Sequence, residues 1–173
     1  CKQVLAYILD RFKSWYKEEG YTAEIYLSVA QLNLGNPLDI DGRVNAVASF
    51  SLLPEADDLV AANKRVSNII SKQLENRSPA PLNVDLLIEP AEKTLAESIS
   101  RLESLSGPLL DNREYSTVLK HLATLRDPID AFFNDVMVMV DDQSLRDNRL
   151  SLLSKLRTLF INVADISQMA SSK

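Results

Sequence analysis

One cysteine, one histidine and four glycines are all that this 173-residue chain contains of those residues. A single cysteine cannot close an intramolecular disulfide, and two Cys/His side chains fall short of the roughly four that a structural zinc site takes. That usage fits a reducing, cytoplasmic setting. So few glycines exclude a collagen-like chain, and 46% apolar residues exclude wholesale disorder. No apolar run approaches the ~18–20 residues of a membrane span, and no secretory signal opens the sequence. An excess of base is also missing: 19 Lys+Arg stand against 24 Asp+Glu, a formal charge of −5. A protein that coats nucleic acid by bulk attraction is excluded, whereas a local basic patch is compatible with this balance. The chain begins at Cys1 rather than Met and runs straight into a periodic pattern. It is expected to be one piece of a longer protein.

The pattern that is present is helical almost throughout. Val4, Leu5, Ile8, Leu9, Phe12, Trp15 and Tyr16 recur at steps of three and four, predicting a first helix from Lys2 to Glu19 with Gly20 in a left-handed C-cap. Thr22 is placed to cap a short second helix, which Gly35-Asn36-Pro37 breaks. Asp39 opens a third helix to Leu53, and Pro54-Glu55 a fourth that fades at Glu75-Asn76-Arg77. Ser78 to Ile88, with two prolines in its first four residues, reads as a connection between two helical halves, 1–77 and 89–169, of a single domain. Val84 to Ile88 has the look of a strand but finds no partner strand pattern elsewhere. A fifth helix spans Ala91 to Leu105 and stops at Gly107-Pro108; a sixth spans Tyr115 to Leu125. Asp127-Pro128 opens a seventh through Val140, and Asp141 or Asp142 caps a last one whose stripe reaches Ile166. The expectation is an all-α bundle of about eight helices without solenoid repeats.

Almost nothing in the sequence carries covalent chemistry, and an enzyme with His121 as its base is the remote third reading. Nucleotide-binding glycine loops, zinc-protease and serine-hydrolase signatures are absent. His121 lies on the flank of an apolar stripe with Val118, Leu119 and Leu122, and reads as a boundary histidine. Asp57-Asp58 and Asp141-Asp142 read as acids at helix N-termini. Met137 and Met139 read as core fillers, with a sticky groove as the other use. The basic residues say more. From Ala61 to Ser78, four basic residues face one acid, or +3. On a helix Lys64, Asn68 and Lys72 align at steps of four, with Arg65 one position around. Cations hold a phosphate backbone, and amides and guanidinium forks read base edges. Arg43, Arg77, Arg146 and Arg157 are further phosphate-contact candidates. Arg149 falls on the apolar stripe of the last helix and is expected to pair with Asp130 or Asp135.

Longer runs carry a resemblance. Leu125-Arg126-Asp127-Pro128-Ile129-Asp130-Ala131-Phe132-Phe133-Asn134-Asp135-Val136-Met137-Val138-Met139, Leu145 to Leu153, and Val163-Ala164-Asp165-Ile166-Ser167 resemble the C-terminal end of the beta subunit of bacterial-type glycyl-tRNA synthetases. Glu19-Gly20-Tyr21, Pro37-Leu38-Asp39-Ile40-Asp41, Ala62-Asn63-Lys64-Arg65-Val66-Ser67-Asn68-Ile69 and Glu89-Pro90-Ala91-Glu92 resemble the same region in the same order. The resemblance implies an all-helical anticodon-binding domain of the kind shared with arginyl-tRNA synthetase. Asp130-Ala131-Phe132-Phe133 keeps only half of the Asp-Ala-Leu-Arg run that names the domain group. The implied partners are a glycine tRNA and a catalytic alpha subunit in a heterotetramer, with ATP and magnesium chemistry on alpha. No cofactor, DNA or membrane is expected for this chain, which is implied to be non-catalytic. Lys64, Arg65 and Asn68 are the implied RNA face, and the helical spacing adds Lys72 to it. A helical protein-docking module is the competing reading.

Overall fold

The computed structural model describes residues 11–75 and 77–169. The start of the first predicted helix, Cys1, Asn76 and the tail from Ala170 lie outside the described residues. Among the described residues there are eight α-helices and two 3-10 turns, with no strand. The helices are α1 (residues 11–18), α2 (Ala23–Ala30), α3 (Pro37–Phe50), α4 (Ala56–Leu74), α5 (Pro90–Asp111), α6 (Tyr115–Ala123), α7 (Arg126–Asp135) and α8 (Gln143–Ile161). The segment Val84–Leu86, where a strand was the alternative, is a 3-10 turn.

Local chemistry sets most of the ends. Gly20 has φ +92°, the Tyr21 N–H bonds back to the Tyr16 carbonyl, and that of Gly20 to Lys17. This is a Schellman C-cap, and the Tyr16 and Tyr21 rings meet edge to face across it at 5.6 Å. The Asn36 side chain accepts from the amides of Leu38 and Asp39, with Pro37 at the first position. Gly35-Asn36-Pro37 is therefore the start signal of α3, which begins two residues before Asp39. The Asp142 side chain caps α8 through the Leu145 amide.

Three helix ends differ from expectation: α8, whose stripe was expected to reach Ile166, stops at Ile161, and Ile166–Gln168 is a separate 3-10 turn. α5 does not stop at Gly107-Pro108 but runs through it to Asp111. Proline forfeits one backbone bond, and Leu109 and Leu110 directly after it regain stabilisation by packing against the core. α7 stops at Asp135 rather than Val140, and the chain leaves it extended. In extended chain the side chains alternate, so Val136 and Val138 turn inward while Met137 and Met139 face solvent, 72% and 44% exposed. The methionines are not core fillers.

One continuous cluster of buried side chains runs from Tyr16 to Met169. α3 crosses α6, α5 packs on α6, α7 and α8, and α4 lies on α8 and the turn Ile166–Gln168. Phe50, Phe132 and Phe160 are its largest fully buried members. The connection 78–88 is pinned to α8 by a reciprocal clamp. The Asn83 amide donates to Asn148 Oδ1 at 2.8 Å, and Asn148 Nδ2 donates to the Asn83 carbonyl at 2.9 Å.

The Tyr16 hydroxyl donates to Asp41 at 3.0 Å inside an aromatic cluster with Phe12, Trp15, Tyr21 and Tyr26. Burial first, and then the Asp41 carboxylate, push its ionisation above the ordinary phenol value of 10.0. Folding thus favours the neutral phenol. Its contribution is intact below pH ~10 and is lost as the pH climbs towards the raised value. Urea midpoints should fall across that alkaline range, and fall less in Tyr16→Phe. An unchanged alkaline slope in that variant would remove Tyr16 as the cause.

Candidate nucleic-acid interface

α4 owes its two faces to sequence period. Leu59, Val60, Asn63 and Val66 are buried, and Lys64, Arg65, Asn68 and Lys72 are exposed. Lys64, Asn68 and Lys72 form a ridge about 12 Å long. None of the three makes a hydrogen bond or ion pair among the described residues, so their donors face water. Arg65 lies about 100° around the helix from Lys64 and reaches α7. Its guanidinium lies 4.0 Å from the centre of the Phe133 ring. Phe133 stands where the Asp-Ala-Leu-Arg run has arginine, and Phe132, in the leucine position, is fully buried.

The Arg65–Phe133 stack divides two clefts between α4 and the α7 region. One, about 390 Å³, holds Asp58, Arg126, Asp130 and Asn134. Arg126 Nε meets Asp58 at 2.8 Å and NH1 meets Asp127 at 3.6 Å, and the Asp58 hydrogen bond is the main reason its proton is held more tightly than usual. The other, about 490 Å³, is lined by Arg65, Ile69, Phe133 and the segment 134–139.

That segment is fastened from α8. Arg149 NH1 donates to the Met137 carbonyl at 2.9 Å, and its Nε meets Glu92 at 2.5 Å. Glu92 is 0% exposed, and its other oxygen accepts from the amides of Ile88 and Glu89 at the start of α5, at 2.8 Å each. The partner of Arg149 is therefore Glu92. Asp130 and Asp135, the expected partners, are exposed on α7. Glu92 completes its hydrogen bonds at the start of α5, which makes it the acid whose burial is compensated.

The other four arginines proposed from sequence are not on this face. Arg43 is 13% exposed; it pairs with Asp39 at 3.1 Å, donates to the carbonyls of Asn162 and Val163 at 2.6 and 2.9 Å, and lies over the Tyr115 ring at 4.3 Å. It closes the C-terminal end of α8, where unpaired carbonyls attract a cation, and offers no open guanidinium to a phosphate. Arg157 pairs with Asp165 at 3.1 Å. Arg146 donates to the Val140 carbonyl at 3.2 Å and so holds the far end of the segment after α7. Arg77 is exposed, but its guanidinium donates to the Gln73 and Leu74 carbonyls at the end of α4. Arg77 and Arg157 share a separate groove between α4 and α8.

Sequence reasoning did not single out Phe133, Arg126 or Asn134 for the candidate site, and gave Met137 and Met139 a sticky groove only as their second use. The alternation in Val136-Met137-Val138-Met139 was the available signal. His121 lies at the boundary as expected, with its Nδ1 buried and unpartnered among the described residues.

Residues 59–167, well over half of the chain and all of α5 to α8, match the DALR anticodon binding domain. The chain is 49% identical over 167 residues to the glycine–tRNA ligase beta subunit of Pseudomonas aeruginosa, covering 96% of this chain and 24% of that protein. It is 48% identical over 164 residues to that of Marinobacter nauticus, and 45% over 167 residues to that of Shewanella sediminis, with 95% and 96% of this chain and 24% of each relative covered. It thus spans about a quarter of the length of these relatives. With an all-helical array, and the buried Phe132 and half-buried Phe133 following Asp130-Ala131 inside the matched region, the chain belongs to the DALR anticodon-binding domain family.

Proposed function

We propose that this domain binds the anticodon arm of a glycine tRNA and positions that tRNA for aminoacylation by a catalytic alpha subunit, with ATP and magnesium handled there. The setting is the cytoplasm. The observation that carries the reading is the ridge of Lys64, Asn68 and Lys72 beside the Arg65–Phe133 stack. Unpaired cations and amides next to an aromatic–guanidinium pair are what a single-stranded RNA loop needs from a protein. The acidic remainder of the surface repels RNA and so restricts its pose. The exposed Met137 and Met139 favour the second reading, a protein-docking module.

Labelled glycine tRNA, and the same tRNA with its anticodon changed, would be titrated against the chain at two salt concentrations. Binding at low salt is expected, weaker at high salt and weaker for the changed anticodon. Equal affinity for both would sink base readout, and no binding at low salt would sink the RNA role in favour of docking.

A further inference from the structure

We propose that the cleft between α4 and the segment 134–139 holds one unstacked nucleobase of the bound RNA. The base stacks on the Arg65–Phe133 face, its edge is met by Asn134 and Asp135, and Met137 and Met139 close over it. This rests on the RNA reading above and assigns to it a second kind of contact, apart from the cationic ridge.

Three observations carry it. The first is the shape and lining. The cleft has a volume of about 490 Å³, in the range of small-molecule sites, and the Arg65–Phe133 cation–π pair forms one wall. A guanidinium already held 4.0 Å over a ring can take a base on its outer side with little new ordering cost. The second is charge. Asp135 lines this cleft, and Asp130 lines the adjoining one. Carboxylates repel a phosphate, but they accept the amino protons of a base edge. The ridge on α4 is therefore the place for phosphate and the cleft the place for a base. The third is fixation. Met137 and Met139 are exposed, yet the backbone between and beyond them is not left to itself. Arg149 holds the Met137 carbonyl and Arg146 the Val140 carbonyl. Two solvent-facing methionines on a segment tied at two points to α8 form a preset apolar wall rather than a loose loop. Arg146, expected from sequence to touch phosphate, becomes a positioning residue for that wall.

The test uses the 173-residue chain and glycine tRNAs carrying the fluorescent base aminopurine at one anticodon-loop position at a time. At one position, binding should quench or shift the emission. Phe133→Leu, which keeps the apolar volume, should abolish that signal and weaken binding roughly 5- to 100-fold. Met137→Ser with Met139→Ser changes only exposed side chains and should weaken binding several-fold with an unchanged melting temperature. In each case the dependence of log affinity on log salt should stay as in the wild type, because every cation is kept. If the wild-type chain binds tRNA, but no loop position reports stacking or these variants bind as tightly as wild type, the base site is overturned and the RNA reading stands. If the wild-type chain fails to bind tRNA at low salt, the RNA reading fails and the site with it. If RNA affinity is untouched while sedimentation shows the wild type self-associating and the methionine variant not, the cleft is a protein-docking surface and the proposal is overturned.

Discussion

Arg149→Met is expected to cost about 3–5 kcal/mol of folding free energy, the range found when one member of a buried ion pair is removed. Glu92, fully buried, would keep its bonds to the Ile88 and Glu89 amides but lose its only cationic partner among the described residues. At ~2–4 °C per kcal/mol for a domain of this size, the melting temperature should drop by about 10 °C. Glu92→Gln with Arg149→Met should recover much of the loss, since the amide oxygen still serves the helix start and no charge is stranded. A single-variant loss under about 1 kcal/mol would show that Glu92 is not desolvated as the geometry requires. The pair also links stability to the proposed interface. Without Arg149 the Met137 carbonyl loses its donor, so tRNA affinity should fall even at temperatures where the variant is fully folded.

The Glu92–Arg149 pair marks where sequence reading stops. That Arg149 needed an acid was legible, because a cation on the apolar stripe of an amphipathic helix has to be compensated. Which acid was not, because Glu92 lies 57 residues away and its fitness depends on also serving the start of α5. The same division holds along the chain. Signals with short reach were legible to within a residue or two: Gly20 in its left-handed cap, the start of α3, read at Asp39 and found at Pro37, and Asp142 at the start of α8. Pro108 misled because a local cost was outweighed by burial of Leu109 and Leu110. The methionines misled because helical period was extended past Asp135, where the chain already follows the two-residue period of extended backbone. Within the site, the α4 cluster was legible from spacing on a single helix, which fixes neighbours at steps of three and four. Phe133 was not, since its meeting with Arg65 joins residues on different helices.

Arg43 and Lys64 look alike in sequence, each a cation on a helix near a polar neighbour, and they should part sharply in experiment. Arg43→Ala removes two charge-assisted bonds to the Asn162 and Val163 carbonyls, an ion pair with Asp39 and the stacking on the Tyr115 ring. Charged hydrogen bonds contribute ~1.5–3 kcal/mol each when buried. A destabilisation of about 3 kcal/mol or more is expected, partly because Asp39 is left with the Tyr115 hydroxyl in place of a cation. Where Arg43→Ala remains folded, the salt dependence of tRNA binding should match the wild type. Lys64→Ala with Arg65→Ala should do the reverse. Both side chains are exposed and only the Arg65–Phe133 stack is given up, so stability should change by about 0.5–1 kcal/mol. The slope of log affinity against log salt should flatten by ~0.7–0.9 for each phosphate that the variant no longer neutralises. The two readouts therefore cross: one variant moves the melting temperature and leaves the slope, the other moves the slope and nearly leaves the melting temperature. If Arg43→Ala flattened the slope in the folded protein, its guanidinium would have to reach RNA from a position where carbonyls, a carboxylate and a ring already occupy it, and the placement of the interface on α4 would be wrong.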